Sequence, residues 1–360
     1  MRRNNEMVSK AFVEDIDFQC FNPKTLDFGK KINGRNEEEE RTLTDVFEEN
    51  QIPLSTNALN LEGWNLTSEK EQRLFEKIKK IGQPLSKYVT VKKINKKNQE
   101  IVEVEQIFYG IKTGANDIFV PKDPSVCERI LAENPTFSQI IKPLLEGKDI
   151  KRYQMLQTRK QLIFTRRGID IEEYPSVKNY LLEHKERLEP KPKNWKGDWK
   201  GRKEGNYKWY EIQDSIDYHE EFDQPKIFFP GMSSEITAFT FDENGLYGND
   251  NVQMIVSDDK FLLGMLNSKV SHFFLRNVCD FVRGGFARLK IAYVKQLPIP
   301  PADAATQSAV SALVNLILSK KTADPHADIR AEEAAIDATM YRLFEITEAS
   351  EIALLENTAK

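Results

Sequence analysis

The sequence predicts an α+β protein: a mixed-sheet domain with flanking helices and a C-terminal helical hairpin. Three observations carry this. Short runs rich in β-branched and aromatic residues, bounded by Gly, Pro, Asn and Asp, fill the middle of the chain; capped helical patterns flank them; and beyond Pro301 the composition turns to Ala, Leu and Val. The 360 residues leave room for two or three domains, because single cores stop growing near roughly 250–300 residues. The expected divisions are an irregular segment over 1–63, the mixed-sheet domain over 64–300 and the helical segment over 301–360.

Taken in order, residues 1–63 hold scattered aromatic fragments and the run Glu37 to Glu40, read as a loop. A helix follows, announced by the capping box Ser68…Glu71, an apolar face of Leu74, Phe75, Ile78 and Ile81, and the stop Gly82…Pro84. Val89 to Ile94 and Ile101 to Phe108 read as strands joined by a polar turn at Asn95–Asn98, leading to a loop from Lys112 to Asp117 bracketed by Gly110 and Gly114, then a strand at Ile118–Val120. Ser125–Leu131 and Pro135–Leu145 are short helical candidates, Gln161–Thr165 a strand, and Val177, Leu181, His184 and Leu188 one helix face. Lys191 to Tyr210 carries seven Lys and Arg among Trp195, Trp199, Tyr207, Trp209 and Tyr210, and reads as a loop. Lys226–Phe229 and Ile236–Phe241 are strands, and the turn Asp242-Glu243-Asn244-Gly245 leads into Leu246–Val256 as a hairpin-like unit. Helices at Asp259–Asn267 and Val270–Val278 precede a second glycine-basic loop, Arg283–Arg288. Two more span about 306–321 and 329–344, with Asp324-Pro325 as cap and first-turn proline of the second.

Bulk composition narrows the function classes. Hydrophobic content of 40% excludes global disorder, and no apolar run approaches the roughly 20 residues of a membrane span. The start Met1-Arg2-Arg3 leads into charged sequence, so a cytoplasmic location is expected, and Cys20, Cys127 and Cys279 give neither a disulfide framework nor zinc spacing. The net charge of −4 conceals segregation: Arg35–Glu49 holds seven acidic and two basic residues, Lys142–Arg167 eight basic and two acidic. A basic centre next to glycine-rich polar loops suits phosphates and base edges.

Five pieces occur in a distinctive order: the loop Tyr109–Val120, Pro143-Leu144-Leu145-Glu146-Gly147-Lys148-Asp149-Ile150-Lys151-Arg152-Tyr153, Pro225–Pro230, Leu262-Leu263-Gly264-Met265-Leu266-Asn267-Ser268 and Gln296-Leu297-Pro298-Ile299-Pro300. Together they resemble the TaqI-like C-terminal specificity domain of adenine-specific DNA methyltransferases and type IIG restriction-modification enzymes, over about 64–300. The resemblance implies a target-recognition module that docks double-stranded DNA, with residues 1–63 as the tail of a methyltransferase domain. The expected DNA contacts are Lys112, Thr113 and Asn116 in the first loop; Lys148, Lys151, Arg152 and Tyr153; Arg166 and Arg167; Lys196, Trp199, Lys200 and Arg202; Asn249 and Asn251; and Arg283 and Arg288.

The chemistry of methyl transfer is missing from this stretch. No Gly-x-Gly turn is present for a cofactor, and Asn22-Pro23 and Asn134-Pro135 lack the second proline of an adenine clamp. Glu183-His184-Lys185 with Asp170 has the form of a metal nuclease site, but Glu183 falls on a helix face, and the four histidines show no ligand spacing. No catalytic residue, metal or cofactor is therefore expected in this chain; S-adenosylmethionine belongs to an associated catalytic domain or subunit. Two readings stand: a recognition module, or part of a functional adenine methyltransferase or endonuclease whose catalytic residues lie upstream or on a partner chain.

Overall fold

A computed structural model describes residues 68–94, 100–282 and 285–358, together with four short strands ahead of them. Those strands pair as Phe18–Cys20 with Ile52–Leu54 and Leu59–Asn60 with Gly63–Trp64, both antiparallel. The Glu37–Glu40 run, the turn at Asn95–Asn98 and Arg283 lie outside the described residues.

The fold is built on an antiparallel sheet of four strands in the order Thr240–Asp242, Lys226–Pro230, Val252–Val256, Ile107–Tyr109. Every residue of Lys226–Pro230 is buried, which is why this strand reads as an unbroken apolar run rather than an alternation. The period-two geometry then divides the core. Ile227, Phe229, Ile255 and Ile107 point to one cluster with the helices Glu69–Ile81, Lys260–Leu266, Lys269–Val278, Ala304–Ala323 and Arg330–Leu343. Phe228, Met254 and Val252 point to a second, with Leu144, Leu145, Ile163, Val177 and Leu181. A three-stranded mixed sheet, Gln161–Ile163, Ile141–Leu145, Tyr247–Gly248, lies in that second layer.

Several expectations hold in detail. Ser68 and Glu71 form the capping box of Glu69–Ile81. Within Leu262–Ser268, Asn267 donates from Nδ2 to Phe239 O at 2.9 Å and accepts from Phe239 N at 3.1 Å, tying helix to sheet, while Ser268 caps the next helix. Pro298–Ile299 pairs with Gln83–Pro84, so this proline-rich stretch closes onto the first helix.

Others are corrected. Ile118–Val120 is not a strand: Asn116–Phe119 is a helical turn, initiated by Ala115 O, and it buries the adjacent Ile118 and Phe119 together. Pro135–Leu145 divides into a 3-10 turn, Pro135–Gln139, and the strand Ile141–Leu145, because strand partners wait on both sides of the latter. The helix expected through Leu188 breaks after Leu182 and resumes at Lys185. The hairpin-like unit does not form either, since Lys226–Pro230 inserts between Thr240–Asp242 and Val252–Val256. The C-terminal hairpin gains a third helix, Ala349–Thr358, and Asp324 closes the first helix while the second starts at Arg330.

Lys226 and Asp242 are directly opposite across the sheet and wholly buried, with Nζ 2.6 Å from Oδ2. Lys226 Nζ also donates to Phe222 O at 2.5 Å, and Asp242 accepts from Asn244 N and Leu246 N at 3.1 and 3.0 Å. Removing one partner strands a buried charge, so Asp242→Ala is expected to cost about 3–5 kcal/mol, and the double change Lys226→Met with Asp242→Leu much less. Denaturant unfolding of the two variants beside the wild type checks this; equal losses for the single and double changes would reject the pairing argument.

Candidate nucleic-acid interface

One end of the central sheet gathers the loops. Pro230 is opposite Val252 and Tyr109 opposite Gln253, so the turn after Pro230, the turn before Val252 and the loop after Tyr109 emerge together. The turn Gly147–Asp149 joins them, because Leu144–Leu145 runs parallel to Tyr247–Gly248. Backbone contacts hold this rim. Ile111 N donates to Gly248 O at 2.8 Å, Asn249 N to Leu145 O at 3.0 Å, and Gly231 N to Asn251 O at 2.7 Å. At Gly110 a Cβ would lie 1.9 Å from Asn249 O, so only glycine allows this approach.

With the backbones locked to one another, the polar side chains are left outward. Lys112, Asn116, Lys148 and Asn251 are exposed and Asn249 is half-buried. Lys148 lies 3.1 Å from Glu146, and that ion pair raises its pKa. Thr113 is buried instead: its hydroxyl donates to Asn116 Oδ1 at 2.5 Å and accepts from Ala115 N at 3.1 Å, so it shapes the loop from within. Asn249 Oδ1 accepts from Asn251 N at 3.0 Å.

Arg202 corrects the reading of the Lys191–Tyr210 stretch. It is 4% exposed, and its guanidinium donates to five carbonyls: Leu188 at 2.7 Å, Thr113 at 3.1 Å, Glu211 at 2.7 Å, Lys208 at 3.2 Å and Trp209 at 2.9 Å. The Tyr207 ring lies 4.4 Å from its Cζ. Burial lowers its pKa to about 10, which still leaves it cationic at neutral pH. Arg202 is thus a staple that fixes the basic aromatic loop to the back of the 110–117 loop, and it presents no donor to a groove. Trp199 is likewise held, donating to Glu189 O at 3.1 Å. Lys196 and Lys200 remain exposed on this loop, Lys200 3.1 Å from Glu186.

The remaining expected residues divide in the same way. Tyr153 is buried at φ 55°, its N–H bound to Phe239 O, so it belongs to the core. Arg152 pairs with Glu333 at 2.8 Å, and Arg167 donates to Gln213 O at 2.9 Å. Lys151, Arg166 and Arg288 are exposed, the last opposite Met232 on the small sheet Met232–Ser233, Phe286–Arg288, Asp280–Val282. Three cations that were not singled out, Lys122, Arg159 and Lys160, line a cavity of about 470 Å3 whose rim carries Asn116 and Asn249. The excess of Lys and Arg over Lys142–Arg167 signalled two of them, and nothing local signalled Lys122. A second cavity, about 680 Å3, is lined by Arg152, Lys269, His272, Glu333 and Asp337. Burial and the nearby Arg276 and Arg152 push the His272 imidazole down to about 4. Among the described residues no cluster of His, Cys, Asp or Glu could hold a metal ion, and no helix is long and apolar enough to cross a membrane.

Residues 142–299 match the family model of the TaqI-like C-terminal specificity domain. The chain carries that domain. Its matched part contains three of the four rim loops, while the 110–117 loop precedes it. Over 168 residues the chain is 27% identical to the type II methyltransferase M.PaeR7I of Pseudomonas aeruginosa, covering 44% of this chain and 27% of the relative. Among solved structures it is similar to the type IIL restriction-modification enzyme MmeI, determined in complex with DNA, with a TM-score of 0.51 at 15% identity over 75% of this chain and 41% of that one. The type IIG restriction endonuclease BpuSI matches with a TM-score of 0.42 at 12% identity over 78% of this chain and 34% of the other. The chain thus spans between about a quarter and two fifths of the length of these relatives.

Two outcomes follow from this geometry. Arg202→Met leaves five carbonyls without their donor and is expected to cost about 3 kcal/mol or more, with faster proteolysis between 191 and 210. Thermal unfolding within experimental error of the wild type would remove its role as a staple. For His272 the folded pKa lies below the ordinary 6.5, so the unfolded chain takes up the proton first. Stability is therefore complete above pH 6.5 and falls as the pH drops towards 4, by up to about 3 kcal/mol relative to His272→Gln. Parallel stability profiles for the two proteins would contradict this.

Proposed function

We propose that the chain is the duplex-DNA recognition module of an adenine-specific DNA methyltransferase or type IIG restriction-modification system, with catalysis and S-adenosylmethionine supplied by a catalytic domain or subunit. The observation that carries this reading is the TaqI-like specificity domain, whose loops collect at one end of the sheet with exposed Lys and Asn side chains. The likeness to M.PaeR7I supports the methyltransferase association, and the MmeI fold, solved with DNA, supports the partner.

On this reading Lys112, Lys148, Lys151, Arg166, Lys196, Lys200 and Arg288 meet phosphates, and Asn116, Asn249 and Asn251 meet base edges. Thr113, Arg152, Tyr153, Arg167, Trp199 and Arg202 act behind them as positioning residues. The net charge of −4 does not oppose binding, because phosphates respond to the local field of the rim.

Duplex affinity should fall steeply with salt, at a logarithmic slope of roughly 0.9 per phosphate neutralised. Lys112→Ala should lower affinity for all sequences and reduce that slope by about one; Asn116→Ala should cost about 1–3 kcal/mol and relax preference at one position. Lys70→Ala, on the exposed face of the first helix, should change neither. Fluorescence-anisotropy titrations across a salt series measure all three, and affinity indifferent to salt would reject the proposal.

A further inference from the structure

We infer that the outer face of the small sheet Met232–Ser233, Phe286–Arg288, Asp280–Val282 reads pyrimidine C5-methyl groups in the major groove, which unmodified DNA carries only on thymine. This rests on the DNA-recognition reading and adds to it a specificity determinant of apolar character. The sheet belongs to the rim. Gly231 N donates to Asn251 O at 2.7 Å and Leu289 N to Gly231 O at 3.0 Å, so Gly231 ties Met232–Ser233 and Phe286–Arg288 to the turn before Val252. Met232–Ser233 also lies beside the turn Gly147–Asp149.

The register sorts the side chains of this sheet. Ala287 is buried opposite Ser233 and Phe281, so that set points inward. Phe286 and Arg288 then share the outer face with their cross-strand partners Val282, Asp280 and Met232. Met232 is 47% exposed and Phe286 42%, and neither is part of the two apolar clusters of the core. The Asp280 carboxylate on this face does not oppose a polyanion, because Lys290 Nζ and Tyr293 OH hold it at 2.9 and 2.7 Å. Arg288 adds an exposed cation next to the apolar pair.

An apolar pair beside a cation, continuous with the polar rim, fits a duplex groove. Two strands about 4.8 Å apart form a ribbon that the major groove, about 12 Å wide, admits and the minor groove, about 6 Å wide, excludes. On the major-groove edges of the bases the thymine methyl is the apolar group. Lys and Asn donors cannot register it; Phe286 and Met232 can, by removing it from water.

The test uses a duplex that the full chain retains from a random-sequence pool, remade with deoxyuridine for each thymidine in turn. Deoxyuridine keeps the pairing and lacks the methyl, so at one or two positions affinity should fall about fourfold per methyl group lost. Phe286→Ala and Met232→Ser, both on the exposed face, should each reduce the thymidine preference and leave affinity for the deoxyuridine duplex unchanged. Equal affinity of the wild type for the thymidine and deoxyuridine duplexes would overturn the inference while leaving duplex recognition standing. So would a preference that survives both substitutions, since the methyl would then act through DNA shape, and so would loss of self-association in the two variants in place of loss of preference, which would assign the face to a second copy of the chain. Failure of the wild type to retain any duplex would overturn both readings.

Discussion

Burial of the central sheet on both faces is the constraint on which the rest depends. Lys226–Pro230 has helices against one side and a second sheet against the other, so its side chains cannot contribute to any surface. Register is then strongly specified, because a slip of one residue would exchange the two apolar sets. The buried Lys226–Asp242 pair reinforces this: it is satisfied only when these two residues are opposite one another. A sheet so enclosed can meet a partner through its end loops, and here the backbone contacts at Gly110, Gly231 and Asn249 bring those loops into one rim.

Positive charge serves two ends in this chain, and the two residue types share the work unequally. Arg202 shows what a planar guanidinium can do in the interior: it answers five carbonyls from several turns of chain and needs no carboxylate. Arg152 and Arg167 also spend donors on the protein itself. The ammonium groups of Lys112, Lys151 and Lys196, strongly hydrated point charges, stay in water. A basic residue count over a stretch therefore overstates what that stretch offers to a polyanion.

By itself the sequence determined the α+β class, the first helix and its cap, the buried Lys226–Phe229 strand, the paired helices from Lys260 to Val278 and the TaqI-like character of the chain, because each depends on local chemistry: capping side chains, apolar runs and short motifs. It also placed Lys112, Asn116 and Asn249 among the polar loop residues. The tertiary structure alone decided which strands are neighbours, since Lys226–Pro230 enters between two strands that follow it in the chain. It decided that Ile141–Leu145 is extended, because partners arrive on both sides, whereas local preference pointed to helix. It decided that Thr113, Tyr153 and Arg202 face inward while Lys122 and Arg159 line a cavity with Asn116 and Asn249. Burial and juxtaposition are properties of contacts between residues far apart in sequence, and no local pattern records them.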